Sequence, residues 1–269
     1  MTVAAPYAHH MTEPVVLFSL EGGVASITLN RPALGNAMSL EMMEALLKSI
    51  RDAEADPDCH LVVVRGAGRV FCGGGDLNGL ARAAEDPELK QRMVTALQDA
   101  MYAFSASRLV VIAVVGGAAA GAGLGLVLNS DIVLASTRAS FHGAYLAIGL
   151  TPDAGVSYLL PAAIGSKRAS AMVLTGAPVG AADAHAWGLV AELLEPEQLD
   201  ARADELAARL VGGPAQVLGA TKKLLGAPAL AGYRRHLDDE AASITSYAAH
   251  PDTRARIQAL IEKSSKPGT

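Results

Sequence analysis

Phe71-Cys72-Gly73-Gly74-Gly75-Asp76-Leu77 and Ala118-Ala119-Ala120-Gly121-Ala122-Gly123-Leu124-Gly125 each follow a run suited to a β-strand and place glycines where a helix should begin. Glycine strips side chains from the backbone, and amides at the start of a helix point outward with partial positive charge. Such a loop can hold an anion or a developing oxyanion, although glycines also serve tight turns and close packing. Dinucleotide binding fits poorly. Leu126 stands where the third fingerprint glycine belongs, and Asp131 comes too early to meet a ribose. The chain has neither a phosphate-binding loop ending in Gly-Lys-Ser/Thr nor a Gly-x-Ser-x-Gly nucleophile elbow.

Outward from these loops, β-like and helix-like segments alternate. Val15–Leu20 and Val24–Leu29 flank the Glu21-Gly22-Gly23 turn and predict a hairpin. Ser39 is placed to cap a helix whose apolar face is Met43, Leu46, Leu47 and Ile50, with Asp56-Pro57 closing it. Leu61–Val64, Val110–Val115 and Ile132–Ala135 predict buried strands, and Leu89, Met93, Leu97 and Met101 mark an amphipathic helix. Beyond Ser166 the alanine-rich pattern predicts helices near 167–174, 181–187, 196–210, 214–224, 230–249 and 252–263. This order predicts an α/β core over 1–195 and a helical region over 196–269, with Lys263–Thr269 fraying.

The bulk composition narrows the partners. The chain has 269 residues, 51% of them hydrophobic, and a formal charge of −5, which offers no broad basic surface to nucleic acid. Cys59 and Cys72 are too few for a disulfide framework, and the scattered histidines, His9 and His10 among them, lack metal-site spacing. No metal and a reducing cytoplasm are the expectations. Residues 1–12 lack a secretory pattern, and Met11 could be an alternative start. Leu109–Ser130 is free of charges and carries Gly117, Gly121 and Gly125 at transmembrane contact spacing. It nevertheless divides into a β-branched run, a glycine turn and a short small-residue segment, so a strand, turn and helix are expected and no membrane span.

Four motifs in order then resemble the enoyl-CoA hydratase/isomerase, or crotonase, family over nearly the whole chain. They are Ile27-Thr28-Leu29-Asn30-Arg31-Pro32 with Asn36-Ala37-Met38, Phe71–Leu77, Gly117–Gly125, and Gly149-Leu150-Thr151-Pro152-Asp153-Ala154-Gly155. The resemblance implies a ββα spiral whose C-terminal helices assemble a homotrimer or a dimer of trimers. It implies an acyl-CoA thioester substrate and no cofactor beyond the coenzyme A moiety. The Gly75 and Ala122 N–H groups would form the oxyanion hole, with alanine at 122 where the family usually has glycine. The added methyl would narrow the pocket or demand a different backbone angle. Ala37, Gly73, Gly75, Asp76 and Leu77 would lie against the CoA moiety, although a turn aspartate such as Asp76 more often fixes its own loop.

The same resemblance bears on the reaction. Two-glutamate hydratases would have their acids at Gly125 and Tyr145, which cannot do that work. Asp153 lies where aspartate-using isomerase members and a dehalogenase branch place an essential carboxylate; its bland alternative is a helix cap. One carboxylate suffices for a 1,3-proton shift against an oxyanion hole. Isomerisation is therefore expected, with Tyr145 lining the acyl pocket or donating a hydrogen bond to the substrate, although a half-buried tyrosine more often serves packing. A hydratase with displaced groups and a non-catalytic CoA-binding subunit remain open. The dehalogenase branch needs a histidine on the Leu89–Phe104 helix, where this chain has Gln98. Lys263 could meet CoA phosphates or simply complement its helix dipole. Trp187 is expected in the core, and His142 and His185 have no assigned role.

Overall fold

In the computed structural model, which describes residues 13–264, the first hairpin is β1 (Val16–Glu21) against β2 (Val24–Leu29), antiparallel as expected. Helix α1 (Leu40–Ala55) follows, and Ser39 caps it by accepting from the Met42 N–H at 3.3 Å. Its buried face is Met42, Met43, Leu46 and Ile50.

From there the chain repeats one step. β3 (Leu61–Gly66), β5 (Val110–Val115) and β7 (Ile132–Ser136) enter one sheet, while β4 (Val70–Cys72), β6 (Ala118–Ala120) and β8 (Ser140–His142) enter another. Between them run α2 (Leu77–Ala83), α3 (Pro87–Ala106), α4 (Ala122–Leu128) and, after β8, α5 (Val156–Ile164). Helix α6 (Ser166–Thr175), β9 (Val179–Gly180), α7 (Ala181–Ala186) and β10 (Glu192–Leu194) complete the α/β part. The six-stranded sheet has the order β1-β2-β3-β5-β7-β10 and the four-stranded sheet β4-β6-β8-β9. All pairings are parallel except the first hairpin and β8 with β9.

The C-terminal part is helical, as the composition predicts: α8 (Pro196–Val211), α9 (Leu218–Leu230), α10 (Tyr233–Ala248) and α11 (Pro251–Ser264). α8 lies against the outer face of the large sheet, where Leu199, Ala203 and Leu206 cover Leu61, Val63, Ile112 and Leu134. β5 is buried along its whole length, which explains its unbroken Val/Ile run. The uncharged Leu109–Ser130 stretch is β5, β6 and α4, and no described helix is long and apolar enough to cross a membrane. Two expected helices shift: 214–224 is a short 3-10 turn at Ala215–Val217 followed by α9, and the 230–249 pattern breaks at Gly232, with φ 89°. Residues 1–12, with His9, His10 and Met11, and the expected fraying tail beyond Ser264 lie outside the described residues.

Candidate active site

The C-terminal ends of three parallel strands, β4, β6 and β8, meet at one cavity of about 280 Å³. After β4 come Gly73, Gly74 and Gly75; after β6 come Gly121 and Ala122; after β8 come Tyr145, Leu150 and Asp153. Met93, Val94 and Leu97 of α3, Ile244 and Ala248 of α10, and Ile257 and Leu260 of α11 form its apolar walls. Lys90 and Arg254 supply its basic groups.

The first two strand ends are backbone sites. Gly75 forms a parallel bridge with Met38: the Met38 N–H donates to the Gly74 carbonyl at 2.8 Å, and the Asp76 N–H donates to the Met38 carbonyl at 3.1 Å. In such a bridge the flanking groups turn to one side, so the N–H of Gly75 turns to the other. It is left without a backbone partner among the described residues. Ala122 is the first residue of α4, where an N–H has no intrahelical acceptor. The two loops touch: a side chain at Gly74 would lie 3.0 Å from the Ala120 carbonyl and 3.7 Å from Gly121 Cα. Gly123 fits α4 against β4, since a Cβ there would sit 2.3 Å from the Cys72 carbonyl.

Ala122 needs no unusual angle. It takes up helical backbone, and the strained position falls one residue earlier on Gly121, with φ 51° and ψ −120°. Of the residues expected against the CoA moiety, Gly73, Gly75 and Leu77 line the cavity. Asp76 is turned to the Arg31 guanidinium at 2.9 Å and accepts from the Gly79 N–H at 3.1 Å, capping α2. Burial would raise its carboxyl, but Gly79 and Arg31 hold it below the ordinary value. Arg31 also donates to the Ala37 carbonyl at 2.6 Å, so Arg31 ties the Ala37 segment to the glycine loop. Asn36, fully buried with φ 53°, donates to the Val70 carbonyl at 2.7 Å and fastens the approach to β4.

The third strand end carries the titratable groups. The Tyr145 phenol donates to Asp153 Oδ1 at 2.9 Å. Burial raises the Asp153 carboxyl to about 7; the Tyr145 hydrogen bond opposes that rise and the Glu240 charge adds to it. Tyr145 is pushed well above its ordinary value by burial and by the Asp153 charge. Two left-handed alanines frame the pair, Ala144 at φ 59° and Ala154 at φ 56°. Each costs about 1 kcal/mol and fixes the direction of the residue beside it. Asp153 does not itself cap α5; the residue at that position is Gly155.

Behind the loop lie residues with no local sequence signal. Asn129, at the end of α4, donates to the Ala154 carbonyl at 3.0 Å and the Gly125 carbonyl at 2.8 Å, and accepts from Tyr233 at 2.6 Å and Ser105 at 2.6 Å. Glu240 of α10 accepts from the Gly155 N–H at 2.7 Å and the Ser157 N–H at 2.9 Å. Gln98 is committed elsewhere, donating to the Leu237 carbonyl at 2.7 Å. His142 meets Ser140, and His185 meets the Val190 carbonyl; neither lines the cavity. Trp187 packs against the core, with the Arg168 guanidinium 5.3 Å from its ring.

Comparison with known proteins identifies the family and the fold. The enoyl-CoA hydratase/isomerase family model matches residues 19–267. The chain is 32% identical over 250 residues to a trans-2-decenoyl-[acyl-carrier-protein] isomerase of Streptococcus mutans, covering 92% of this chain and 95% of that protein. It is 39% identical over 217 residues to a probable enoyl-CoA hydratase of Mycobacterium tuberculosis, covering 81% and 83% respectively. The crystal structure of an enoyl-CoA hydratase from Mycobacterium avium subsp. paratuberculosis superposes with a TM-score of 0.85 at 31% identity, covering 95% of this chain and 98% of that one. The two sheets fed by a repeated strand-strand-helix step, and a match across nearly the whole length, make this chain a crotonase-fold member of the enoyl-CoA hydratase/isomerase family.

Proposed function

We propose that the chain is an enoyl-CoA isomerase that moves a double bond by one-base proton transfer. Supporting this is one observation above the others: a carboxyl raised to about 7, Asp153, lines the same cavity as the backbone of Gly75 and Ala122. The thioester oxygen sits between the N–H groups of Gly75 and Ala122. Asp153 takes a proton from the carbon next to the carbonyl, negative charge builds on the oxygen as a dienolate, and the same carboxyl returns the proton to the γ carbon. A general base works best when its pKa lies near the operating pH, and a preorganised oxyanion donor contributes about 3 kcal/mol. Gly73, Gly75 and Leu77 lie along the pantetheine arm, with Ala37 and Asp76 holding that loop from behind through Arg31.

Absence of room for a second acid favours isomerisation over two-acid hydration. A Cβ at Gly125 would lie 2.4 Å from Ala154 Cβ, so that position admits no glutamate. Tyr145 is occupied in holding Asp153. The exposed Leu224 and Leu225 of α9, each 79% accessible, support an assembly that covers them, which we take to be a homotrimer or dimer of trimers.

The test is a spectroscopic assay of 3-enoyl-CoA and 2-enoyl-CoA in heavy water, with wild type and Asp153→Asn side by side. Loss of double-bond migration and of deuterium exchange together in the variant is expected. Full activity of Asp153→Asn removes it from the mechanism, and net water uptake by wild type replaces the isomerase with a hydratase. Acyl groups on acyl carrier protein present the same thioester and belong in the same assay.

A further inference from the structure

We propose that Glu240 is a positioning residue for the isomerisation: from α10 it anchors the start of α5 and holds a negative charge behind Asp153. The inference rests on Asp153 as the base.

The loop from Gly149 to Ser157 is held from outside by the C-terminal helices. Thr253 of α11 donates to the Gly149 carbonyl at 3.0 Å, and Thr151 donates to Ser243 of α10 at 3.0 Å. Glu240 takes the N–H groups of Gly155 and Ser157 and the Ser157 hydroxyl. Its side chain is 4% exposed; burial raises its carboxyl above the ordinary value, while the Ser157 hydroxyl and the Gly155 and Ser157 N–H groups oppose that rise and favour the charged form. Gly155 follows the left-handed Ala154, so the Glu240 carboxylate grips the chain two residues after Asp153.

Glu240 and Asp153 both line a small gap together with Val94, Leu97, Leu237 and Gln98. Most of these walls are apolar and screen little, so beyond the effect of burial a charge on Glu240 opposes ionisation of Asp153 and raises its carboxyl. The titratable groups around the pair are few. Tyr145 meets Asp153, while His236 Nε2 lies 3.9 Å from Glu240 and also meets Ser157 at 2.8 Å. Tyr233 of α10 is directed to Asn129, Asp99 of α3 is paired with Arg234 at 2.7 Å, and Lys90 and Arg254 line the main cavity. A residue that only stabilised the fold would not set the pH dependence of turnover.

The experiment follows kcat and KM with pH for wild type, Glu240→Gln, Glu240→Asp and Asp153→Asn. Glu240→Gln is expected to lower kcat about ten-fold with KM within about two-fold, because a misplaced base costs rate rather than binding. The acid limb of its kcat profile is expected at lower pH than in wild type, because the charge that kept Asp153 basic is gone. Glu240→Asp retains the charge, so its acid limb stays in place while the shortened reach lowers kcat. A wild-type kcat and acid limb in Glu240→Gln overturns the proposal. Should Glu240→Gln not melt cooperatively, Glu240→Asp decides: reduced kcat with an unmoved limb supports positioning, and wild-type kcat overturns it. Full activity in Asp153→Asn defeats the underlying one-base mechanism. An inactive Asp153→Asn beside a wild-type-like Glu240→Gln defeats only the role of Glu240.

Discussion

Tyr145 donates its phenolic hydrogen to Asp153 Oδ1 at 2.9 Å, and its oxygen lies 3.2 Å from the Asp153 carbonyl oxygen. Tyrosine thus supports the charged form of a carboxyl that burial otherwise drives toward neutrality. Tyr145→Phe removes the donor, so the folded pKa of Asp153 climbs further above about 7. A hydrogen bond to a charged group contributes about 1.5–3 kcal/mol, reduced here by the open side of the cavity. The expected result is an acid limb displaced upward by about one pH unit, a roughly five-fold loss of rate near neutrality, and recovery in alkaline buffer. A pH–rate profile that stays in place would show that the phenol does not govern Asp153.

Asp153 should also weaken the fold when charged. Its pKa rises from the ordinary 3.8 to about 7 on folding, so between these values the native state holds a proton that the unfolded chain has released. Stability therefore declines as pH rises through this window, and the full penalty applies above about pH 7. Asp153→Asn keeps an acceptor for Tyr145 and carries no charge. Discounted for partial exposure, the gain is about 1–3 kcal/mol, or roughly 5 °C in Tm at pH 8, vanishing below about pH 4. Thermal melts across pH check it; an equal shift at both extremes would assign the gain to packing.

Local patterns carried much of this fold. The turn at Gly22-Gly23, the Ser39 cap and the Val110–Val115 run each act within a few residues, and each structure formed where that chemistry lies. The strands β6 and β8 have only three residues each, too short for a period, and exist because a parallel neighbour completes them. α5 contains Pro161, which hides its helical pattern. At the candidate site the glycine loops and Asp153 are visible as motifs. Glu240 and Tyr233 are not, because they meet Gly155 and Asn129 across sequence separations of 85 and 104 residues.

Gly125 stands where the packing leaves no room for a side chain. Its ideal Cβ would lie 2.4 Å from Ala154 Cβ and 2.8 Å from the Ala154 carbonyl oxygen. Gly125→Ala is expected to cost about 2–3 kcal/mol through overpacking, and Gly125→Glu more, without gaining hydration. Adding Ala154→Gly to Gly125→Ala removes the methyl clash and the left-handed alanine together, so it should recover part of the loss. Urea denaturation of the three variants measures this. A stable, hydrating Gly125→Glu enzyme would mean that the loop yields easily.

Asn129 couples the end of α4 to the Asp153 loop, and its truncation has a distinctive energetic signature. Its Oδ1 accepts from Tyr233 and Ser105, and its Nδ2 donates to the Gly125 and Ala154 carbonyls. The Gly125 carbonyl retains the backbone N–H of Asn129 after truncation, at 2.9 Å in the native chain. The Ala154 carbonyl and the fully buried Tyr233 hydroxyl do not have such a substitute. Asn129→Ala should therefore cost about 3–4 kcal/mol, and Tyr233→Phe only about 1–2 kcal/mol because Ser105 still serves Oδ1. The double variant should cost less than the sum, by about 1 kcal/mol, because no hydroxyl is then left stranded. Denaturant midpoints for the cycle decide the matter: strict additivity would mean that water or a shifted neighbour satisfies Tyr233 when Asn129 is gone.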